Sequence, residues 1–476
     1  MKYFADAEEH QDIVFKILEC EHVDKIWKEE VILTVISTEY LKDVYYKIAS
    51  DMSGDNYAML KRIAFLINTC CRVAEHKELY LNRGNLMPFR LSKPSGYAWK
   101  ELFVYIFSHK ESIYWDREMV SVVIEVLDSW TKHVDNKKEE NTTFAGKIGL
   151  FLLEKISNNK VLRFDLKDEK IDTLQDILCN SAWMIKDELN DIFQNVIDVL
   201  KDDGEDDFYA KGNSSSYRMY SDLAERAVAD IYHYGQIPFA MPEITIGLME
   251  TIWISQVSSP VYRSVDISCY FGLDLHLSNK YYPASAYKTP IINLLQNNQK
   301  AATDFLIRFC NKAGENYFES DLNKDDNECV KIMIYVNGQG TEQTASDRLW
   351  KMYRGTHVGP NLLVSLLMGF KTWLLNVVKI SDCNLVINFC RDVLIKSENV
   401  MLTAVIVSIA EAYPEKMVDI VCDFLKTKEI FHFDSDRFVS EGQASFLLHG
   451  DNIFEKERRE TNKLPYRQKR LEDIIL

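Results

Sequence analysis

Between Asn361 and Leu425 apolar residues recur at steps of three and four almost without a break, and this run restricts the fold more than any other stretch. Leu362, Leu363, Leu366, Leu367, Phe370, Leu374 and Val378 make the first stripe. Leu385, Val386, Phe389, Val393 and Leu394 make the second, and Met401, Leu402, Val405, Ile406 and Ile409 the third. A fourth segment opens at Pro414 and carries Met417, Val418, Val421, Cys422 and Leu425. Each stripe is too wide to leave in water, and each segment is too short to hold as an isolated helix. They must therefore pack on one another. Pro360 stands where a first-turn proline is tolerated, because that N–H has no intrahelical partner.

The periodicity predicts an all-α chain. Helix pairs recurring about every forty residues resemble HEAT or armadillo repeats, which implies an α-solenoid. One insertion interrupts it near residues 329–345: Val330, Ile332, Ile334 and Val336 alternate with Lys331, Met333 and Tyr335 before Asn337-Gly338, a strand entering a hairpin turn. Helical spacing from Asp12 to Leu200 predicts an N-terminal helical domain over 1–200, with a first break at Asn82–Gly96. Residues 201–216 hold Asp202-Asp203-Gly204-Glu205-Asp206-Asp207 and Ser214-Ser215-Ser216, an acidic, serine-rich linker. A C-terminal helical-repeat domain then covers 217–476. Phe431–Phe438 is expected to be a second extended piece, in which period two would set His432, Asp434 and Asp436 on one side.

A formal charge of −16 argues against a dedicated nucleic-acid backbone binder. The basic run Arg458-Arg459, Lys463, Arg467, Lys469-Arg470 is broken by Glu455, Glu457, Glu460 and Glu472 and reads as a solvated helix face. Cysteines stand singly apart from Cys70-Cys71, with no C-x-x-C and no zinc spacing, so a reducing, cytoplasmic setting is expected. No signal-peptide pattern opens the chain, and no uninterrupted apolar run reaches the roughly 18 residues of a membrane span. The apolar ending Leu471-Glu472-Asp473-Ile474-Ile475-Leu476 suggests a neighbouring segment or partner chain.

Several short motifs point further. Tyr282-Pro283-Ala284-Ser285-Ala286-Tyr287, Asp347-Arg348-Leu349-Trp350 with Tyr353-Arg354-Gly355, and Trp373-Leu374-Leu375 resemble the helical-repeat, sensor-like region of large bacterial STAND-type NTPases, some of them antiviral. Leu464-Pro465-Tyr466-Arg467 extends the likeness to about two-fifths of the chain. The resemblance implies an ancillary or split-off repeat region in antiphage defence. It does not extend to the G-x-x-x-x-G-K-[ST] phosphate loop of such proteins: around Gly146-Lys147, Asn141 replaces the first glycine and Ile148 the hydroxyl.

Candidate chemistry is sparse. Asp321-x-Asn323-x-Asp325 imitates a calcium loop but has Asp326 where glycine belongs and Ile332 in place of the bidentate glutamate. No nucleophile elbow, metalloprotease or dinucleotide motif occurs, and neither a cofactor nor a metal is expected. Arg354 and His357 precede the Asn361 helix, whose free N–H groups favour anions, and Arg348 lies one or two turns upstream. Arg348, Arg354 and His357 are therefore the anion-binding candidates. Tyr281, Tyr282 and Tyr287 are the candidates for a protein-recognition surface. The leading expectation is a non-enzymatic scaffold that recognises a protein partner. The alternative is a hydrolase or nucleotide-binding protein using the arginine–histidine loop.

Overall fold

The structure, a computed structural model, describes residues 103–104, 106–115, 117–134, 136–202, 215–254, 266–274, 280–326, 328–354, 359–444 and 452–475, together with His22. The expected helices before Leu81, the break at Asn82–Gly96, most of the acidic linker and His357 lie outside these residues. The chain is mostly helical, with one small two-stranded antiparallel sheet among the described residues. It divides into two compact units, one comprising Met1–Leu189, Ser214–Leu223 and Gly235–Ala240, the other Asn190–Asn213, Ala224–Tyr234 and Met241–Leu476.

In the first unit, α1 (Lys110–Tyr114) leads into α2 (Arg117–His133), α3 (Glu140–Ser157) and α4 (Lys160–Asn180), the last three packed pairwise. Val123, Ile124 and Leu127 of α2, Ile148, Leu152 and Ile156 of α3 and Leu174, Ile177 and Leu178 of α4 are all buried among these three helices. The Trp130 indole N–H is satisfied there by donating to Thr142 Oγ1 at 3.2 Å. Gly235 turns with φ +53° against the end of α4, where a Cβ would lie 2.7 Å from the Cys179 carbonyl carbon. The backbone can neither move away nor relax, since Gln236 N–H donates to Cys179 O at 2.9 Å. Gly235→Ala is expected to cost about 1–3 kcal/mol, read as a lower urea midpoint at unchanged slope.

The second unit contains α5 (Pro242–Ile252), α6 (Ile291–Asn297), α7 (Gln299–Glu319), the strands β1 (Val330–Val336) and β2 (Gln339–Ala345), and α8 (Asp347–Lys351). There follow α9 (Asn361–Ile380), α10 (Cys383–Lys396), α11 (Val400–Ala412), α12 (Val418–Phe424), α13 (Lys428–Ala444) and α14 (Ile453–Asn462). At its centre is α11. Every residue from Val400 to Glu411 is buried, because α8, α9, α10, α12 and β2 all touch it. A helix apolar on all sides has only one stable place, the interior. Asn399 caps it, its Oδ1 accepting from Met401 N–H at 3.1 Å.

Beside it, α9 is long and apolar enough to cross a membrane, with 67% of its most apolar window buried inside the fold. It packs so closely on α6 that a Cβ at Gly369 would stand 2.4 Å from Ile291 Cγ2.

The hairpin forms as its alternation predicts. Val330 pairs with Ala345 and Val336 with Gln339, across a turn whose two residues, Asn337 and Gly338, both have positive φ. Gln343 stitches it to the helices: its Nε2 donates to Leu394 O at 3.0 Å, and its Oε1 accepts from Thr403 Oγ1 at 2.7 Å.

One expected strand is a helix. Phe431–Phe438 lies within α13, where Ile430, Phe433 and Arg437 share the buried side. The stripe is hidden in the sequence because its third member is charged. His432 and Asp436 pair across one exposed turn at 3.5 Å, while Asp434 turns inward.

Candidate functional site

The core helix α11 ends on a carboxylate. Glu411 is 2% exposed, and such a charge survives burial only if a cation reaches it. Arg437 of α13 does so, with Nη2 2.9 Å from Glu411 Oε1. Its Nε donates to Asp434 Oδ1 at 2.6 Å, and Nη2 also donates to the Lys469 carbonyl at 2.7 Å. Asp434 Oδ2 accepts the Leu471 N–H at 2.8 Å, so this pair fastens the C-terminal segment. Glu441, one turn on, lies 3.5 Å from Arg437 Nη1 and accepts a hydrogen bond from Arg354 Nη2.

Two more cations complete the cluster. Lys371 on α9 and Arg467 on the short turn Pro465–Gln468 are each 3% exposed. Lys371 Nζ lies 5.0 Å from the Tyr353 ring centre and 5.2 Å from that of Tyr466. Among the described residues no hydrogen-bond partner meets Lys371 Nζ, Arg467 Nε, Arg354 Nε or Nη1, or the hydroxyls of Tyr353 and Tyr466. Burial, and then the charges of Arg467 and Arg354, push the Lys371 ammonium well below its usual value. Burial and Arg354 likewise push Arg467 down to about 9, which leaves it cationic at neutral pH. Burial and the charge of Asp434 hold Glu411 well above the carboxylate range. Burial would raise Glu441 too, but Arg354, Arg467 and Arg437 outweigh it and hold that group low.

Above Lys371 and Arg467 opens a cavity of about 390 Å³. Tyr353 and Met368 join them in the floor, while Tyr287, Leu375, Ile453 and Leu464 make apolar walls. Its mouth carries Lys379, Lys456, Glu457 and Glu460. The wall at Tyr287 is held in place by Ser285, whose N–H donates to Ser365 Oγ of α9 at 3.2 Å and whose hydroxyl donates to Glu457 of α14 at 2.7 Å.

The residues singled out in the sequence are distributed unevenly around this site. Arg354 belongs to the cluster, where it pairs with Glu441. Arg348 is engaged elsewhere, 3.2 Å from Glu328 with its Nε 3.1 Å from Tyr317 Oη. Tyr281 is buried, accepting the Trp253 indole N–H at 2.9 Å; Tyr282 is exposed, and Tyr287 lines the pocket. The imitation calcium loop is helical over Asp321–Asp326, and Asn323 bridges Phe318 O and Cys329 N–H. No group of three metal-ligating side chains occurs among the described residues.

Lys371, Glu411, Arg437, Glu441 and Arg467 escaped the sequence reading, although a signal exists for some of them. Lys371 falls on the stripe Leu367, Leu374, Val378, and Arg458 and Arg467 of the supposed solvated basic face are both buried. A charge in phase with apolar neighbours is a charge taken into the core. No known protein family matches the chain, and no curated protein does either.

Proposed function

We propose that this chain is a helical binding module that takes a small anion into the pocket over Lys371 and Arg467. The observation that carries this reading is a charge imbalance. Among the described residues, four buried cations, Arg354, Lys371, Arg437 and Arg467, stand against three carboxylates, Glu411, Asp434 and Glu441. Moving a proton from Lys371 to Glu411, the direction both shifts favour, leaves the imbalance unchanged. Ordered water satisfies donors but not charge; an anion satisfies both. The cavity also has the size of a small-molecule site.

A second reading keeps the module as a cytoplasmic, non-enzymatic scaffold of HEAT-like helix pairs that recognises a protein, within a bacterial antiphage assembly. Exposed Ile380 and Leu385, at 87% and 69%, favour it. The two readings separate in thermal unfolding. Under the first, an added small anion near 100 times its Kd stabilises the protein by about 2.7 kcal/mol, and Lys371→Met abolishes the gain. Equal shifts in both proteins, or none, would remove the first reading.

A further inference from the structure

Resting on the anion-binding reading, we infer that the ligand is a singly charged free carboxylic acid with an apolar body, seated head-down on Lys371 and Arg467. Three observations choose this class over phosphates and nucleotides. The first is charge stoichiometry. Among the described residues the buried cluster is one negative charge short, and a single carboxylate closes the balance. A phosphate dianion or a polyphosphate would leave surplus negative charge beside Glu441, which already uses Arg354 and Arg437.

The second is the approach to the floor. Lys379 and Lys456 at the mouth are matched in number by Glu457 and Glu460, so no cationic funnel draws in a polyanion. With a chain charge of −16, each further negative charge on the ligand costs more to bring in. The third is the wall between mouth and floor. Leu375, Ile453 and Leu464 present methyl and methylene groups, with the Tyr287 ring among them. Apart from the tyrosine hydroxyls, the uncharged polar lining is Thr372, Asn376 and Thr461, fewer partners than a nucleotide's ribose and base call for. An alkyl or aryl body instead gains from leaving water there. The floor donors suit a carboxylate head, because Arg467 offers a planar fork and Lys371 a mobile ammonium.

The test is calorimetric titration of the full-length protein and its Lys371→Met and Arg467→Met variants with octanoate, octanol, inorganic phosphate and ATP. Far-ultraviolet circular dichroism verifies that the variants are folded. Octanoate is expected to bind wild type at least 10-fold more tightly than octanol, phosphate or ATP, and at least 10-fold more tightly than it binds either variant. Phosphate or ATP binding as tightly as octanoate, and lost in Lys371→Met, would overturn the carboxylate class but keep the anion reading. Octanoate binding equally well to wild type and both variants, or no binding by any probe, would overturn both. A tetrapeptide ending in leucine, with a free or an amidated C-terminus, separates the two sources of a carboxylate. Tighter binding of the free-terminus peptide than of octanoate would replace the free acid with a chain end.

Discussion

Replacing Arg437 by methionine is expected to lower stability by about 3–5 kcal/mol, a fall in Tm on the order of 10 °C for a domain of this size. The cause is not the loss of one attraction. Arg437 is fully buried and serves Glu411, Asp434, Glu441 and the Lys469 carbonyl at once. Methionine fills most of the space but leaves buried carboxylates and a carbonyl without their donor, and that residual desolvation sets the size of the effect. Arg437→Lys is expected to recover only part of the loss, since one ammonium cannot reproduce a planar fork that reaches three carboxylates. The C-terminal segment should loosen first, because Arg437 and Asp434 together hold Lys469 and Leu471. Hydrogen exchange at the Leu471 amide, accelerated in the variant more than exchange within α13, is the accompanying sign. Unchanged exchange there would mean that the segment is held by other contacts.

Lys371→Met is expected to act in the opposite direction, raising stability of the ligand-free protein by about 1–3 kcal/mol while destroying the site. Its ammonium is buried on α9 between two tyrosine rings, with no hydrogen-bond partner among the described residues. Methionine keeps the volume and removes the penalty. The sign of the pH dependence follows from the depressed value of the lysine in the folded state. Between that value and 10.5 the unfolded chain binds the proton and the folded chain does not, so the cost of Lys371 declines as pH rises through this window. The stability gap between variant and wild type should therefore be widest at the acidic end and close as pH approaches 10.5.

The groups that face Lys371 are Arg354, Arg467, Glu411, Glu441, Tyr353 and Tyr466. All are present in both proteins, and burial holds both phenols above their usual range, so the difference reports the lysine up to about pH 9, where Arg467 begins to titrate as well. Gain of stability with loss of a ligand is the trade expected of a binding residue held at a cost to the fold.

Much of the fold was legible in the sequence, for identifiable reasons. The stripes at Leu362–Val378 and Met401–Ile409 become α9 and α11, because apolar residues at helical spacing leave few alternatives. The alternation from Val330 to Val336, ending at Asn337-Gly338, becomes a hairpin because both turn residues accept positive φ. Pattern reading failed where a charge occupies a core position. Phe431–Phe438, within α13, reads as an extended piece because Arg437 breaks the apolar count and because His432, Asp434 and Asp436 alternate. In a helix that alternation scatters them: His432 and Asp436 share an exposed turn while Asp434 joins the buried cluster.

The site was harder to see, since Arg354, Lys371, Glu411, Arg437 and Arg467 come from five separate elements. Of the two anion candidates among the described residues, Arg348 and Arg354, the second lies in that cluster, and its partner Glu441 is distant in the chain. No local motif records such a convergence. What the sequence did offer was the phase of Lys371, a charge on the apolar side of its own helix.

On the anion-binding proposal, the buried cluster among the described residues carries one uncompensated positive charge facing the pocket. Anomalous diffraction from crystals soaked in sodium bromide measures this most directly, because bromide is a monoanion that needs only a cationic, accessible seat. A peak is expected within hydrogen-bonding reach of Lys371 Nζ and the Arg467 guanidinium, absent from crystals of Lys371→Met. Bromide peaks elsewhere on the surface with none on that floor would contradict it.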